Sequence, residues 1–99
     1  MGTQMNTRLI MAKAIRAHEP FIRGNIWAER FESGTYPSIG RLPGFLADQL
    51  KARKGVYVVY SYLTPIGWCN LYGKDEWFIP EIWYSGSTLH HQNLLHVIT

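Results

Sequence analysis

Cysteine is almost absent from this sequence, since Cys69 is the single one among 99 residues. One cysteine excludes an intramolecular disulfide and a zinc site built from cysteines, and it gives no sign of a secreted, disulfide-stapled fold. Placed inside a predicted strand, Cys69 is expected to be a packed thiol rather than a nucleophile. The cysteine count therefore favours a reducing, cytoplasmic environment.

Long apolar segments are also missing. The longest uninterrupted apolar run, Val56 to Tyr60, is far shorter than the roughly 20 residues that a membrane-spanning helix needs. The N-terminus has no apolar run of signal-peptide length. We therefore expect a soluble protein without a membrane partner.

Motifs for nucleotide or cofactor chemistry are absent as well. The sequence has no glycine-rich phosphate loop, no dinucleotide fingerprint and no paired-carboxylate pattern. No cofactor is expected, and cofactor-dependent catalysis is disfavoured. The chain also lacks low-complexity runs and blocks of like charge, so its length and composition predict a single globular domain, 1–99, with residues 1–6 as a flexible tail.

Charge is distributed unevenly along the chain. Residues 1–54 contain nine Lys and Arg against four Asp and Glu, whereas residues 55–99 contain one Lys against three acids. The basic half could contact phosphates, which makes nucleic acid an alternative partner. Solvated helix surfaces explain the same cations equally simply. The residues concerned are Arg8, Lys13, Arg16, Lys51, Arg53 and Lys54.

The first half of the chain predicts two helices around a strand. Apolar spacing indicates a helix from Thr7 to about His18. Residues 21–31 alternate like a strand, although Gly24-Asn25 could divide them into a hairpin. A loop at 32–41, held to the core by Tyr36 and Ile39, leads to a second helix. That helix has Pro43 in its first turn, cations in its last turn and Gly55 as its C′ residue.

The second half predicts a sheet followed by a helix. Val56 to Tyr62 is apolar on both faces, which is typical of a covered, central strand. A turn at Leu63-Thr64-Pro65, a strand at 66–72 and another at 77–84, with Pro80 at a bulge or edge, would follow. Ser87 is the candidate N-cap of the last helix. The prediction is an α+β domain, an antiparallel meander with helices packed on one face, in the order α-β-α-β-β-β-α.

Histidines are the first candidates for chemistry. His90 and His91 are adjacent on a predicted helix, so their side chains point about 100° apart and do not converge on one ion. His96 lies on yet another side. A metal site is therefore not predicted.

Nucleophilic catalysis has little support. No elbow motif surrounds Ser87 or Thr88, and no nearby acid is spaced to orient a histidine. A nuclease that pairs His91 with Tyr60 or Tyr62 would require a three-dimensional arrangement that spacing does not specify, and it is the third hypothesis for function.

Two segments, YSYLTPIGW at 60–68 and WYSGSTLHHQ at 83–92, resemble the paired signature of a family of small proteins from bacteriophages and actinobacteria. The family has no activity to carry over. The resemblance implies a phage accessory protein that acts inside a bacterial host, where such proteins frequently bind and redirect host proteins. The matching residues are Tyr62, Thr64, Pro65, Ile66, Trp68, Tyr84, Ser85, Thr88, His91 and Gln92.

The leading hypothesis is a non-enzymatic protein-interaction module, for instance an inhibitor of a host protein. Tryptophan and tyrosine often anchor protein interfaces, and the sequence holds four and six of them. Nucleic acid is the alternative partner, and a homo-oligomer stays open. The candidate binding residues either form an exposed patch or lock two segments together. They are Tyr60, Tyr62, Thr64, Trp83, Tyr84, Ser87, His90, His91 and Gln92.

Overall fold

The computed structural model describes residues 7–73, 76–81 and 86–99. Within them the helices are α1 (Thr7–Arg16), α2 (Gly44–Lys51) and α3 (Gly86–Ile98). The strands β1 (Phe21–Arg23), β2 (Ile26–Phe31), β3 (Val56–Ser61) and β4 (Thr64–Asn70) form one antiparallel sheet in the order β1-β2-β3-β4. The predicted α+β class and antiparallel meander are confirmed.

Residues 21–31 form the hairpin that the sequence left as an alternative to one long strand. The turn consists of Gly24 and Asn25, and Arg23 pairs with Ile26. Gly24 has φ 63°, a conformation that costs glycine nothing because it has no Cβ. The observed order is therefore α-β-β-α-β-β-α rather than the predicted α-β-α-β-β-β-α.

Strand β3 is the centre of the sheet, as its two apolar faces predicted. All of its residues are buried. Val56 and Val58 belong to the core cluster on one face, whereas Tyr57 and Val59 belong to the cluster on the other. Because successive side chains of a strand point to opposite faces of the sheet, β3 contributes to two separate cores.

The helices cover both faces of the sheet, so the prediction that they pack on one face is wrong. One cluster contains Met11 and Ile15 of α1 with Leu95 of α3, and the other contains Leu46 and Leu50 of α2. A strand that is apolar on both sides must be covered on both sides to remove its surface from water. The helices therefore divide between the faces.

The turn after β3 consists of Tyr62 and Leu63, not of the predicted Leu63-Thr64-Pro65. Ser61 pairs directly with Thr64, and Tyr62 adopts φ 56°. Pro65 lies in β4 opposite Tyr60, where the register shifts between Val59 and Tyr60. A proline cannot donate to the ladder, and this irregular position accommodates it.

The strand predicted at 77–84 is not formed in its described part. Phe78 makes an isolated bridge with Trp68, through N–H to carbonyl distances of 2.9 and 2.8 Å. Pro80, which has no N–H, follows two residues later and prevents the ladder from continuing on that side. Residues 82–84 lie outside the described residues.

Three predicted helix ends also shift. Pro43 is the N-cap of α2 rather than part of its first turn, and the helix ends at Lys51 with Ala52 as its C-cap. Gly55, with φ 86°, therefore lies beyond the helix end rather than at C′. Helix α3 begins at Gly86, so the predicted cap Ser87 lies within its first turn.

The loop before α2 packs against the β3–β4 turn. A Cβ on Gly40 would collide with the backbone carbonyl of Leu63. Ile39 packs against the core as predicted, but Tyr36 is exposed and does not hold the loop. Glycine at position 40 is what allows the loop to lie this close to the turn.

Candidate functional site

The segments 60–68 and 83–92 contact each other through a polar cluster, defined here as Ser61, Thr88, His91 and Gln92. Ser61 Oγ lies 3.1 Å from Thr88 Oγ1 and 2.7 Å from His91 Nδ1. Ser61 is the last residue of β3, while Thr88 and His91 are three apart on α3 and therefore share one side of that helix. The cluster fastens the start of α3 to the end of the central strand.

Gln92 makes a second connection between α3 and the sheet. Its Nε2 atom donates to the carbonyls of Pro80, at 3.0 Å, and Ile66, at 3.4 Å. Gln92 is buried, and buried amides are stable only when they find such partners. One side chain thereby joins β4, the segment after Phe78 and the helix.

The side chain of Thr64 is also hydrogen-bonded within the protein. Its Oγ1 accepts a hydrogen bond of 3.2 Å from the backbone N–H of Arg41. This bond holds the loop before α2 against the first residue of β4. Gln92 is thus a buried part of the contact between the two segments, whereas Thr64 is buried but bonds to the loop before α2 instead.

The electrostatic state of His91 fits a structural role. Burial lowers its pKa below the ordinary value, and the neighbouring His90 lowers it further. The ring is therefore neutral at pH 7. A hydroxyl has one proton, so if Ser61 donates to Thr88, the Nδ1–H of His91 donates to Ser61.

The Ser61–His91 contact has the composition of a nucleophile and base, but its surroundings differ from those of a catalytic pair. Ser61 is only 1% exposed, so its hydroxyl is inaccessible to a substrate. Among the described residues, no carboxylate bonds to the imidazole of His91 to orient it, as a triad requires. The arrangement can hold α3 in place, and it has no open position for a reacting group.

Sequence reasoning missed Ser61, although one signal was available. It is the one serine in the strand VYVVYSY, where every neighbour is β-branched or aromatic. A polar residue in such a strand needs a buried partner. That requirement predicts a hydrogen bond at this position, but it does not identify His91 and Thr88 as the partners.

Tyr60 is separated from His91, contrary to the nuclease hypothesis. Tyr60 belongs to the core on the α2 face, stacks on Trp27 with ring centres 3.9 Å apart, and donates to the Ser38 carbonyl. Burial raises its pKa. Tyr60 is therefore a core residue and not a binding residue. Tyr62, in contrast, does approach His91, with 6.3 Å between the ring centres.

Of the other residues predicted to bind a partner, two are exposed and two lie outside the described residues. His90 and Ser87 are exposed on α3. His90 lies 6.2 Å from His91 between ring centres. Trp83 and Tyr84 lie outside the described residues.

The six cations proposed for nucleic-acid binding do not form one surface. Arg8, Lys13 and Arg16 belong to α1, and Lys51, Arg53 and Lys54 belong to the end of α2 and the segment after it. These helices cover opposite faces of the sheet. Arg53 also donates to Asn70 Oδ1 at 2.8 Å, so part of this charge serves the fold.

Apolar side chains gather at the end of the sheet where both hairpins turn, three of them exposed and that of Trp27 half-buried. We call this the hairpin-end surface and define it as Ile22, Trp27, Tyr62 and Leu63. Ile22 pairs with Trp27 across β1 and β2, and the Trp27 indole donates to the Tyr62 carbonyl. Ile22 is 75% exposed, Leu63 74% and Tyr62 47%. Ile22, Trp27 and the Tyr62–Leu63 turn are thereby neighbours at this end of the sheet.

Within the described part of the chain, no three His, Cys, Asp or Glu side chains are grouped so that they could hold a metal ion. None of its helices has the length and apolar character that crossing a membrane requires. Cys69 is buried, as a packed thiol should be, and its Sγ lies 3.4 Å from His18 Nε2.

Comparison with protein-family models, curated protein sequences and solved structures found no match to this chain.

Proposed function

We propose that this protein is a non-enzymatic binding module that contacts a protein partner through the hairpin-end surface. The resemblance of its two signature segments to phage proteins favours a bacterial host protein as that partner, with inhibition as the outcome. The observation that carries the proposal is the linked exposure of Ile22, Tyr62 and Leu63 beside a polar cluster that is already used internally.

Isolated exposed apolar residues are common on soluble proteins, and Phe45 and Val97 are examples here. The hairpin-end surface differs because its members come from both hairpins, which the Trp27–Tyr62 hydrogen bond joins. Contiguous apolar surface that remains in water marks an interaction site more often than scattered side chains do. Tryptophan and tyrosine supply large contact area to such sites.

The hairpin-end surface is held rigidly before any partner arrives. The Tyr62 N–H donates to the Asn25 carbonyl at 2.7 Å, which ties the two turns together. Gly40 lets the loop before α2 support Leu63 from behind. A surface fixed in this way loses little conformational entropy on binding, and affinity benefits accordingly.

The proposal is tested by recovering partners from a bacterial host that expresses the tagged protein, after cross-linking, with wild type and Leu63→Asp compared quantitatively. A charge at the centre of the contact should reduce recovery of a stoichiometric partner at least about tenfold, because it would be buried unpaired. The matched control is Val97→Asp, which changes an equally exposed apolar residue on α3 and should retain the partner.

Two results would contradict the proposal. One is the absence of any stoichiometric protein partner with the wild type. The other is a partner that Leu63→Asp recovers as well as the wild type does. Urea unfolding of each variant verifies that both substitutions leave the protein folded.

A further inference from the structure

We infer that the partner presents an acidic segment, with Asp or Glu side chains beside apolar ones, to the hairpin-end surface. This inference rests on the proposed function and specifies the chemistry of its partner. It follows from the charges that surround the apolar surface.

Two exposed arginines lie next to the two turns. Arg23 is exposed, follows Ile22 in β1 and pairs with Ile26 at the last position before the turn. Arg41 is also exposed and lies beside β4, where its backbone N–H donates to the side chain of Thr64, the residue after Leu63. Both guanidinium groups can form paired hydrogen bonds with a carboxylate, which makes arginine the preferred cation for such recognition.

The start of α3 adds positive potential at the same end. Thr88, in the first turn of this 13-residue helix, contacts Ser61 next to Tyr62. The first turn contains no acidic residue that would neutralise the positive end of the helix dipole. The N-terminal end of α3 and the two arginines therefore all add positive electrostatic potential at this end of the sheet.

Among the described acids, Glu29 and Glu32 lie farther from the turns. Glu29 is opposite Val58 in the middle of the sheet, whereas Glu81 follows Pro80 beside β4, at about the level of Ile22 and Trp27. Glu32 bonds to Tyr72 and Arg30 near the other end of the sheet. Near the turns the two arginines thus outnumber Glu81, and an acidic partner would complement this end of the sheet.

A second copy of the chain fits this surface poorly, because a two-fold contact would bring the arginines of both copies together. A nucleic acid fits poorly for a different reason. Ile22 and Leu63 are aliphatic, and one face of Trp27 is already stacked on Tyr60 with an interplanar angle of 4°. Tyr62 is then the one exposed aromatic side chain of this surface, whereas stacking of successive bases needs several free aromatic faces.

The experiment selects binders from a displayed random-peptide library with the full-length protein as bait, in parallel with Leu63→Asp. The most enriched peptide is then synthesised and its Kd measured by fluorescence anisotropy. Peptides whose binding depends on Leu63 should combine Asp or Glu with apolar residues.

The double variant Arg23→Gln/Arg41→Gln should raise the Kd of the synthesised peptide at least about fivefold, and added salt should reduce that difference. The double variant Lys13→Gln/Lys51→Gln removes the same charge elsewhere and should change Kd less than about twofold.

Neutral or basic peptides that still depend on Leu63 would overturn this inference and leave the proposed function intact. Enrichment that never depends on Leu63 would overturn the proposed function as well. A dimer in solution, or binding of a thymidine oligonucleotide, that Leu63→Asp abolishes would also overturn the acidic partner, since the surface would then have a different occupant.

Discussion

At the scale of single residues, burial determines what Ser61 can do. Its hydroxyl lies 2.7 Å from a histidine nitrogen, a distance suitable for nucleophile activation. The same hydroxyl is 1% exposed and also lies within hydrogen-bonding distance of Thr88. The contact therefore stabilises the position of α3, and its energetic signature should appear in unfolding rather than in turnover.

Replacing Ser61 with alanine should lower the free energy of unfolding by about 1–3 kcal/mol, because polar atoms of His91 and Thr88 lose a buried partner. Urea denaturation measures the change. Ser38→Ala is the matched control, since Ser38 is exposed and contributes only its backbone carbonyl to the Tyr60 bond. That substitution should cost less than about 0.5 kcal/mol. Equal effects of the two substitutions would contradict the role assigned to the polar cluster.

The lowered pKa of His91 predicts how stability depends on pH. Burial favours the neutral ring in the folded state, so below the ordinary pKa of about 6.5 the unfolded chain binds a proton that the folded chain does not. Stability should be fully present above this value and decrease as pH falls through the interval down to the folded-state pKa.

His91→Asn retains a polar atom near the position of Nδ1 but does not titrate. Urea midpoints measured from about pH 8 to pH 5 should therefore fall less in this variant than in the wild type. Parallel decreases in the two proteins would assign the pH dependence to other groups.

The sequence identified part of this cluster and missed its centre. His91 and Gln92 were among the residues predicted as binding residues, and both lie at the contact between the two segments, whereas Thr64 bonds to the loop before α2. Ser61 was not predicted, because its partners are 27 and 30 residues away and periodicity carries no information on such pairs. Tyr60 was misassigned because an aromatic ring that stacks in the core has the same pattern as one at an interface.

At the scale of elements, turn chemistry was predictable where glycine determined it. Gly24 gave the first hairpin as an alternative to a single strand, since its positive φ is free of steric cost. The second turn was misplaced because Thr-Pro resembles a turn, whereas the chain bends at Tyr62, a non-glycine residue with positive φ. Strand pairing, which fixes Ser61 opposite Thr64, overrides that local preference.

Gly40 is the element-scale position most sensitive to substitution. Gly40→Ala would place a Cβ against the Leu63 backbone, so the loop must move away from the β3–β4 turn. Gly24→Ala is the control, because Gly24 also has positive φ but a Cβ there would meet no atom within 4 Å. Thermal unfolding should show that Gly40→Ala costs about 1–3 kcal/mol more than Gly24→Ala, which isolates the collision from the shared cost of positive φ. Equal destabilisation would show that the loop does not support the turn.

At the scale of the whole molecule, the sheet separates two helices that belong to the same basic half of the sequence. The basic first half of the chain is divided between α1 on one face and α2 on the other. A count of charges along the chain cannot reveal this division, because it depends on which face each helix covers. The alternative hypothesis of nucleic-acid binding therefore loses the single basic surface on which it relied.

The same division explains the main error in the predicted architecture. Two-sided apolar character was correctly recognised in β3, and it required cover on both faces. The prediction nevertheless placed all helices together, because their apolar spacing indicates that each packs on something without indicating which face. Only the tertiary contacts of Leu50 and Leu95 assign the helices to opposite faces.

The central claim is that the polar cluster holds the fold while the hairpin-end surface binds the partner. It is tested most directly by measuring the affinity of Ser61→Ala and Leu63→Asp for the recovered partner, under conditions in which both variants are folded. Ser61→Ala should bind within about twofold of the wild type, and Leu63→Asp should bind at least about tenfold more weakly. A folded Ser61→Ala that loses the partner while Leu63→Asp retains it would contradict the account.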